Sequence, residues 1–230
     1  FSNNPDTTLS STLSLHDALP ICCPYSIADY RAVNPEYGSL EDFQHLLECC
    51  HALGMKVMID VVFNHTAHDS LLVEQHPEWF HQCEHGKPVT TVPEWSDVID
   101  LKHPNPELTA YLVDTLKYWV QLGVDGFRCD VASLLPIEFW EQARCAVGEV
   151  RPGVIWLAES VHTDFILHRR AHGLRALSDG ELYSAFDITY DYDIWDVWRR
   201  ALRVEMPLSG YLERLRLQDA IYPVNALKLR

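Results

Sequence analysis

The chain has 230 residues, of which 47% are hydrophobic, so it can bury a large core without disulfides. Its net charge of −15 excludes nucleic acid and anionic membrane surfaces as partners, because both would repel it, and favours a neutral ligand. The seven cysteines are odd in number and match no zinc spacing, so we interpret them as reduced thiols of a cytoplasmic protein. No apolar run approaches the roughly 20 residues of a membrane span.

Residues 1–20 are polar, and the chain begins without methionine. They show neither helical nor strand periodicity before Ala18, and residues 11–21 (STLSLHDALPI) resemble a translated sequencing adapter. We interpret residues 1–22 as a leader outside the folded domain, either non-native or a disordered tail. The fold is therefore assigned to residues 23–230.

Two helices have clear start and stop signals. Ser39 is a helix cap, and Gly54 ends that helix directly before an apolar strand. A second helix begins at Asn105 and Pro106 and ends at Gly123, where another strand follows. The pattern therefore predicts helices that lead straight into strands.

The same order continues along the chain. A helix over residues 136–147 precedes a strand over 154–158, and a strand over 185–189 precedes a helix over 194–204. This repeating β/α order requires a parallel sheet with right-handed crossovers. The one long connection, residues 66–103, is predicted to be a loop insertion and is long enough to be functional.

Three predicted strands end in chemically capable side chains. They are residues 54–65 (GMKVMIDVVFNH), 123–132 (GVDGFRCDVA) and 154–160 (VIWLAES). Since the carboxyl ends of parallel strands share one edge of a sheet, these side chains are expected to form one site. The arginine in the second strand can hold a carboxylate bidentately, either the aspartate two residues later or one on the first strand.

These motifs resemble the α-amylase family of retaining glycoside hydrolases (glycoside hydrolase family 13). DVVFNH at 60–65, GFRCD at 126–130 and WLAES at 156–160 are similar to its first three conserved segments, and residues 24–39 resemble the segment before them. The resemblance implies an α/β fold, namely a partial (β/α)8 TIM barrel that is incomplete at both ends. The chain would hold about strands three to six, with pieces of two and seven.

The resemblance also implies catalytic residues. Asp130 matches the nucleophile that forms the covalent glycosyl-enzyme, and Glu159 matches the general acid. Arg128 matches the residue that orients Asp130, and its charge is expected to lower the pKa of that carboxyl. A structural ion pair between Asp60 and Arg128 is the alternative interpretation. The implied substrate-binding residues are His65, Tyr25 and Asp60.

A metal site is less clearly implied. Asn64 matches a residue that ligates calcium in many family members, so calcium is a candidate ligand there. Many amylases carry a Lys-His pair where this chain has Ser133 and Leu134, which argues against a typical calcium site. No cofactor is expected to be required.

The function implied is hydrolysis of α-glucans or maltooligosaccharides, with this chain alone expected to be an inactive fragment. The alternative is a non-catalytic truncated or scaffold protein, because no fourth segment with its transition-state-binding aspartate occurs up to Arg230. The aromatic run over residues 183–198 is interpreted as strand-to-helix core, with sugar stacking as the alternative. No oligomeric state is assigned.

Overall fold

The computed structural model describes residues 25–229, so the predictions for residues 1–22 lie outside the described residues. The described chain divides into two compact units. The larger comprises residues 31–64 and 103–229, and the smaller comprises residues 25–30 and 65–102. Each unit is described by itself.

A five-stranded parallel sheet forms the centre of the larger unit. Its strands, in spatial order, are β1 (Met58–Val61), β4 (Gly126–Cys129), β5 (Ile155–Ala158), β6 (Ile188–Tyr190) and β7 (Leu227–Leu229). Every pairing between neighbours is parallel, as the β/α order predicted. The predicted part of a second barrel strand is not among the strands of the described residues.

Helices connect the strands of this sheet. In the larger unit they are α1 (Leu40–Ala52), α3 (Pro106–Leu122), α4 (Ile137–Val150), α5 (Thr163–Ala171), α6 (Asp179–Leu182), α7 (Trp195–Leu202) and α8 (Leu208–Ile221). The predicted helices correspond to α1, α3, α4 and α7 within a few residues. The sequence did not predict α8, whose apolar residues are spread around the helix so that it buries only Tyr211 and Gln218.

Capping explains where the first two predicted helices begin and end. Ser39 and Asp42 form a reciprocal capping box at the start of α1. The Asn105 side chain accepts hydrogen bonds from the backbone N–H groups that begin α3. Gly123 ends α3 at φ 116°, a left-handed conformation that favours glycine. These helix ends therefore follow from local chemistry.

Gly126 lies where β4 passes closest to its neighbours. A Cβ at this position would stand 2.8 Å from the Ile155 carbonyl oxygen and 3.0 Å from the Met58 side chain. The backbone carbonyl cannot move without breaking the sheet register. We expect Gly126→Ala to lower the free energy of unfolding by about 1–3 kcal/mol through overpacking. Urea denaturation measures this. The control is Gly148→Ala in α4, where an added Cβ would meet nothing within 4 Å beyond its chain neighbours and the nearby helix backbone, and it should not be destabilising.

A buried carboxyl in α6 makes the stability of this unit depend on pH. Asp179 is 1% exposed, and burial together with the charge of Asp193 raises its pKa from 3.8 to about 7. Between these two values the folded chain holds a proton that the unfolded chain has lost. The free energy of unfolding therefore falls as pH rises from about 4 to about 7.

Asparagine cannot ionise, so we expect Asp179→Asn to remove this loss. Relative to the wild type, the variant should gain about 2–4 kcal/mol of stability on going from pH 4 to pH 8. Chemical denaturation of both proteins at the two pH values measures the difference. Asp114→Asn, at an exposed carboxylate of α3, is the matched control for the amide substitution itself. Parallel stability curves for Asp179→Asn and the wild type would contradict the assignment.

The smaller unit has secondary structure of its own. Its elements are β2 (His65–Thr66), α2 (Leu71–Gln75), a 3-10 turn (Pro77–Trp79) and β3 (Ile99–Asp100), and β2 pairs antiparallel with β3. Residues 25–30 join it through backbone hydrogen bonds from Ala67 to Ile27 and from Leu71 to Ala28. The predicted loop insertion is thus part of a folded unit that also includes residues upstream of it.

Two general expectations concern membrane spans and cysteines. Within residues 25–229, no helix combines the length and apolar character that crossing a bilayer requires. The five cysteines in this part of the chain are free thiols, and only Cys129 is buried. Cys22 and Cys23 lie outside the described residues.

Candidate active site

The candidate active site lies at the carboxyl ends of three neighbouring strands. Asp60 in β1 is in register with Arg128 in β4. Asp130 follows β4, and its backbone N–H donates to the Val61 oxygen at 2.9 Å. Glu159 follows β5, and its backbone N–H donates to the oxygen of Cys129 at 3.0 Å. The parallel register therefore holds these side chains at one edge of the sheet, as predicted.

Arg128 joins three carboxylates. Its Nη1 lies 2.6 Å from Asp60 Oδ1 and 2.8 Å from Asp130 Oδ1. Its Nη2 lies 2.8 Å from Glu159 Oε1. The predicted contact between Arg128 and Asp130 is confirmed, and the alternative ion pair with Asp60 is present as well. The contact with Glu159 was not predicted.

A strained residue follows the predicted nucleophile. Val131 has φ 37° and ψ 42°, a left-handed conformation that is rare for a β-branched residue and costs about 1–3 kcal/mol. In this conformation its backbone N–H donates to Glu159 Oε2 at 3.0 Å. Glu159 is therefore held through both carboxyl oxygens, one by Arg128 and one by the strained turn. Nothing in the sequence marks this valine.

Arg128 lowers the pKa of Asp130 as expected, but it does not decide the net shift. Burial, followed by the charge of Glu159, raises the pKa of Asp130 to about 7, and these effects outweigh the opposing charge of Arg128. The charge of Glu159 acts on Asp130 at short range, because both carboxylates bond to the same guanidinium. Because one guanidinium bonds to three carboxylates, its charge stabilises the ionised forms of all three and not of Asp130 alone.

Burial and charge interactions also act in opposite directions on the pKa values of Asp60 and Arg128. Asp60 keeps 46% of its side chain exposed, but burial of the remainder raises its pKa despite the hydrogen bond from Arg128. Burial opposes the charged form of Arg128, yet its bond to Asp60 and the charge of Glu159 raise its pKa above the ordinary value. Arg128 is therefore a permanent cation here.

His65 and Tyr25 lie in the smaller unit. His65 is 6% exposed, faces Asp100 across the β2–β3 pair and has its ring centroid 5.5 Å from that of Trp95. Burial lowers the pKa of His65, against the charges of Asp100 and Asp97, which favours the neutral imidazole. Tyr25 is 38% exposed, and its backbone hydrogen-bonds to His65. The structure thus brings these two residues together, and their sugar-binding roles stay predictions.

The described residues offer little for a metal ion. Within 25–229, no group of three or more His, Cys, Asp or Glu side chains could hold one. Asn64 is partly buried, and Ser133 and Leu134 are buried in a 3-10 turn, Ala132–Leu134. The carboxylate-rich set that calcium favours does not form around Asn64. A calcium ion at Asn64 stays a prediction, and no step below depends on one.

The aromatic run after β5 has two different roles. Phe186 and Ile194 are 4% and 6% exposed, in agreement with the predicted core. Tyr190 instead ends β6 half-buried, with Arg128 Cζ 5.8 Å from its ring centroid. Tyr192 is also half-buried, and Trp195 is exposed. The sequence signal for this extra surface was the density of Tyr and Trp directly after a strand end.

Comparison with known proteins supports the resemblance. Residues 15–87 match the family model described as the catalytic domain of α-amylase. A cyclomaltodextrinase from Geobacillus thermopakistaniensis (strain MAS1) is 30% identical over 216 residues, which cover 86% of this chain and 34% of that protein.

Two solved structures are also similar. An α-amylase from Lactobacillus plantarum is 48% identical with a TM-score of 0.87, covering 90% of this chain and 49% of that one. A noncanonic maltogenic α-amylase from Thermotoga neapolitana is 39% identical with a TM-score of 0.77, covering 90% of this chain and 45% of the other. The chain thus spans about a third to a half of the length of these proteins. Its parallel sheet and connecting helices correspond to part of their α/β barrel, and the chain belongs to the α-amylase family of glycoside hydrolases.

Proposed function

We propose that the complete protein containing this chain is a retaining hydrolase of α-glucosidic bonds in maltooligosaccharides or α-glucans. The observation that carries the proposal is the pair of Asp130 and Glu159 held on one arginine at the carboxyl edge of the sheet. Retaining hydrolysis needs two neighbouring carboxyl groups, one as nucleophile and one as acid. The names of the relatives, cyclomaltodextrinase and maltogenic α-amylase, are consistent with such a substrate.

In the first step, an oxygen of ionised Asp130 attacks the anomeric carbon and forms a glycosyl ester. The bond from that carbon to the glycosidic oxygen breaks, and Glu159 gives its proton to the leaving oxygen. In the second step, Glu159 takes a proton from water, which attacks the same carbon and releases the Asp130 carboxylate. Two inversions leave the anomeric configuration unchanged.

Acid catalysis requires Glu159 to give up one of its present partners. Its Oε1 lies 2.8 Å from Arg128 Nη2, and its Oε2 accepts the Val131 backbone N–H at 3.0 Å. To protonate the glycosidic oxygen, Glu159 has to exchange one of these contacts for that oxygen. Arg128 keeps its bonds to Asp60 and Asp130, which stabilise the ionised nucleophile.

The remaining assignments are also proposals. The free thiols among the described residues favour a reducing compartment, so the cytoplasm is the proposed location. The mechanism uses only protein side chains and water, and no cofactor is proposed. Substrate contacts by Asp60, His65 and Tyr25 complete the proposed set.

We further propose that the 230-residue chain alone is inactive. Its sheet has an exposed strand at β7, where Leu227 and Leu229 are 58% and 47% exposed. Along α8, Leu208, Leu212 and Ile221 are more than half exposed. Apolar surface of this kind favours association, and the relatives are two to three times longer than this chain. In the complete protein, further barrel elements would cover it.

One experiment tests both parts of the proposal. The complete protein and residues 25–229 alone are expressed, examined by gel filtration and assayed with maltotetraose. We expect the complete protein to release products that keep the α configuration, as proton NMR records at early time points. We expect the isolated segment to aggregate or to show no turnover. A complete protein without activity supports the non-catalytic alternative, and an active monomeric segment contradicts the proposed incompleteness.

A further inference from the structure

A cluster of three carboxyl groups lies where α6 contacts the end of β6. Asp179 begins α6, and Asp191 and Asp193 follow β6. Asp179 is 1% exposed and Asp191 is 8% exposed. Asp193 belongs to a 3-10 turn, Tyr192–Ile194, which we name the β6 turn. The proposed reaction steps give no task to this carboxyl cluster.

Hydrogen-bond donors are unequally distributed among the three carboxyls. The Tyr222 hydroxyl donates to Asp193, and Gln218 Nε2 donates to Asp191 Oδ1 at 2.8 Å. Asp179 Oδ2 accepts the backbone N–H of Asp193 at 3.2 Å, but no described residue donates to its buried Oδ1. Because a buried charged oxygen without a donor is costly, a proton on Asp179 Oδ1 suits this arrangement.

The surroundings of Asp179 also oppose its ionisation. Burial, and then the charge of Asp193, raise the pKa of Asp179 to about 7, against hydrogen bonding with Ser160. The Ser160 hydroxyl directs its hydrogen to the Tyr190 carbonyl oxygen at 3.3 Å. Its oxygen can therefore accept a hydrogen bond from protonated Asp179, whereas its one hydrogen cannot serve both Tyr190 and an ionised Asp179.

Apart from one histidine, the ionisable groups of the neighbouring elements are paired or neutral. Arg170 bonds to Glu181 at 2.6 Å. Lys228 bonds to Asp219 at 3.0 Å. Burial raises the pKa values of three tyrosines on which the charge of Asp179 acts, so they stay neutral: Tyr183, Tyr192 and Tyr222. The histidine is His162, whose ring lies 4.6 Å from that of Tyr192.

The same contacts connect Asp179 to the catalytic centre. Through its bond from the backbone of Asp193, Asp179 fastens the β6 turn to α6. The bond from Ser160 to the Tyr190 oxygen joins the end of β6 to the residue that directly follows Glu159. The Tyr190 ring in turn lies 5.8 Å from Arg128 Cζ. A displacement of the β6 turn would therefore reach the arginine that holds all three catalytic-edge carboxylates.

Loss of the proton from Asp179 would place its charge against those of Asp191 and Asp193, and would leave Oδ1 charged without a donor. Repulsion then acts directly on the bond that fastens the β6 turn. We propose that protonated Asp179 is a positioning residue, which holds the β6 turn and Tyr190 against the catalytic arginine, and that loss of its proton slows turnover. This inference rests on the proposed function for its effect on rate.

The test compares pH profiles of the complete protein with and without a titratable group at residue 179. In Asp179→Asn the amide oxygen can accept the Asp193 N–H and the amide N–H can donate to Ser160, as the protonated acid does. Steady-state kinetics on maltotetraose are recorded at pH 6, 7 and 8. We expect the ratio of variant to wild-type kcat to rise about tenfold from pH 6 to pH 8, because a group with a pKa near 7 is about nine-tenths ionised at pH 8. Titration of the shared catalytic residues cancels in this ratio.

Asp114→Asn, at an exposed carboxylate of α3, is the control for the amide substitution, and its ratio should stay constant with pH. Circular dichroism verifies the fold of each variant. If Asp179→Asn does not fold, Asp179→Ser, a smaller neutral residue, replaces it with the same expectation. A ratio that is independent of pH, whether near one or far below it, overturns the proposal, because a purely structural role predicts that result.

A measurement without substrate separates this inference from the proposed function. Ile194 is a buried residue of the β6 turn, and its δ1 methyl resonance is assigned by its disappearance in Ile194→Val. We expect this resonance to move between pH 6 and pH 8 in the wild type and in His162→Gln, but not in Asp179→Asn. No movement in the wild type, or movement that is lost in His162→Gln, overturns the proposal. If the complete protein hydrolyses no maltotetraose, the proposed function fails, and the methyl titration still decides whether Asp179 controls the turn.

Discussion

Replacing Asp130 with asparagine is expected to abolish turnover of maltooligosaccharides by the complete protein, with a loss of about 10⁴-fold or more in kcat. The amide cannot form the glycosyl ester. Asp60 and Glu159 are not expected to replace it as nucleophile, because Arg128 holds each of them in its own contact. The amide keeps the size of the side chain and can still accept from Arg128. Steady-state rates on maltotetraose measure the loss, and circular dichroism verifies the fold.

Asp114→Asn is the matched control, because it makes the same change at an exposed carboxylate in α3. Its activity should stay within twofold of the wild type. Mass spectrometry after incubation with a 2-deoxy-2-fluoro glycosyl fluoride locates the covalent adduct, which we expect on Asp130. An adduct on Glu159 or Asp60 would show that the nucleophile has been assigned to the wrong carboxylate.

Replacing Glu159 with glutamine is expected to reduce hydrolysis of maltotetraose by about 10²–10⁴-fold. Glutamine can still accept the Val131 N–H bond, which measures 3.0 Å in the wild type, but it has no proton to give to the leaving oxygen. On 2,4-dinitrophenyl α-glucoside the leaving group departs without protonation, so glycosylation should be affected much less. The difference between the substrates is the specific mark of an acid.

Glu141→Gln, at an exposed glutamate in α4, serves as the control and should leave both rates intact. Added azide should increase the rate of Glu159→Gln on the activated substrate, because this anion attacks the glycosyl ester without base assistance. A similar loss on both substrates, with no effect of azide, would refute the acid role of Glu159.

Much of the fold follows from patterns within short stretches of sequence. The start of α1 at Ser39 and the end of α3 at Gly123 depend on hydrogen bonds and backbone angles within a few residues, so the residue types indicate them. Apolar runs bounded by glycine located β1, β4 and β5. Helix α8 was missed because its apolar residues do not lie on one face, and such a helix gives no periodic signal.

The division into units depended on tertiary contacts. Residues 66–103 read as a loop because they lack periodicity, yet β2 and β3 pair across more than thirty residues of sequence. The backbone bond from Ala67 to Ile27 joins segments forty residues apart. No local pattern indicates such partners, because each strand is only two residues long.

The sequence alone determined which side chains form the candidate site. Strand-end positions in a parallel sheet share one edge, and four side chains occupy such positions: Asp60, Arg128, Asp130 and Glu159. Only the tertiary structure decided how these charges are shared. Arg128 bonds to all three carboxylates, and burial with the nearby Glu159 raises the pKa of Asp130 rather than lowering it. The physical reason is that strand periodicity depends on neighbours in sequence, whereas desolvation and Coulomb interactions depend on distances between segments that only folding brings together.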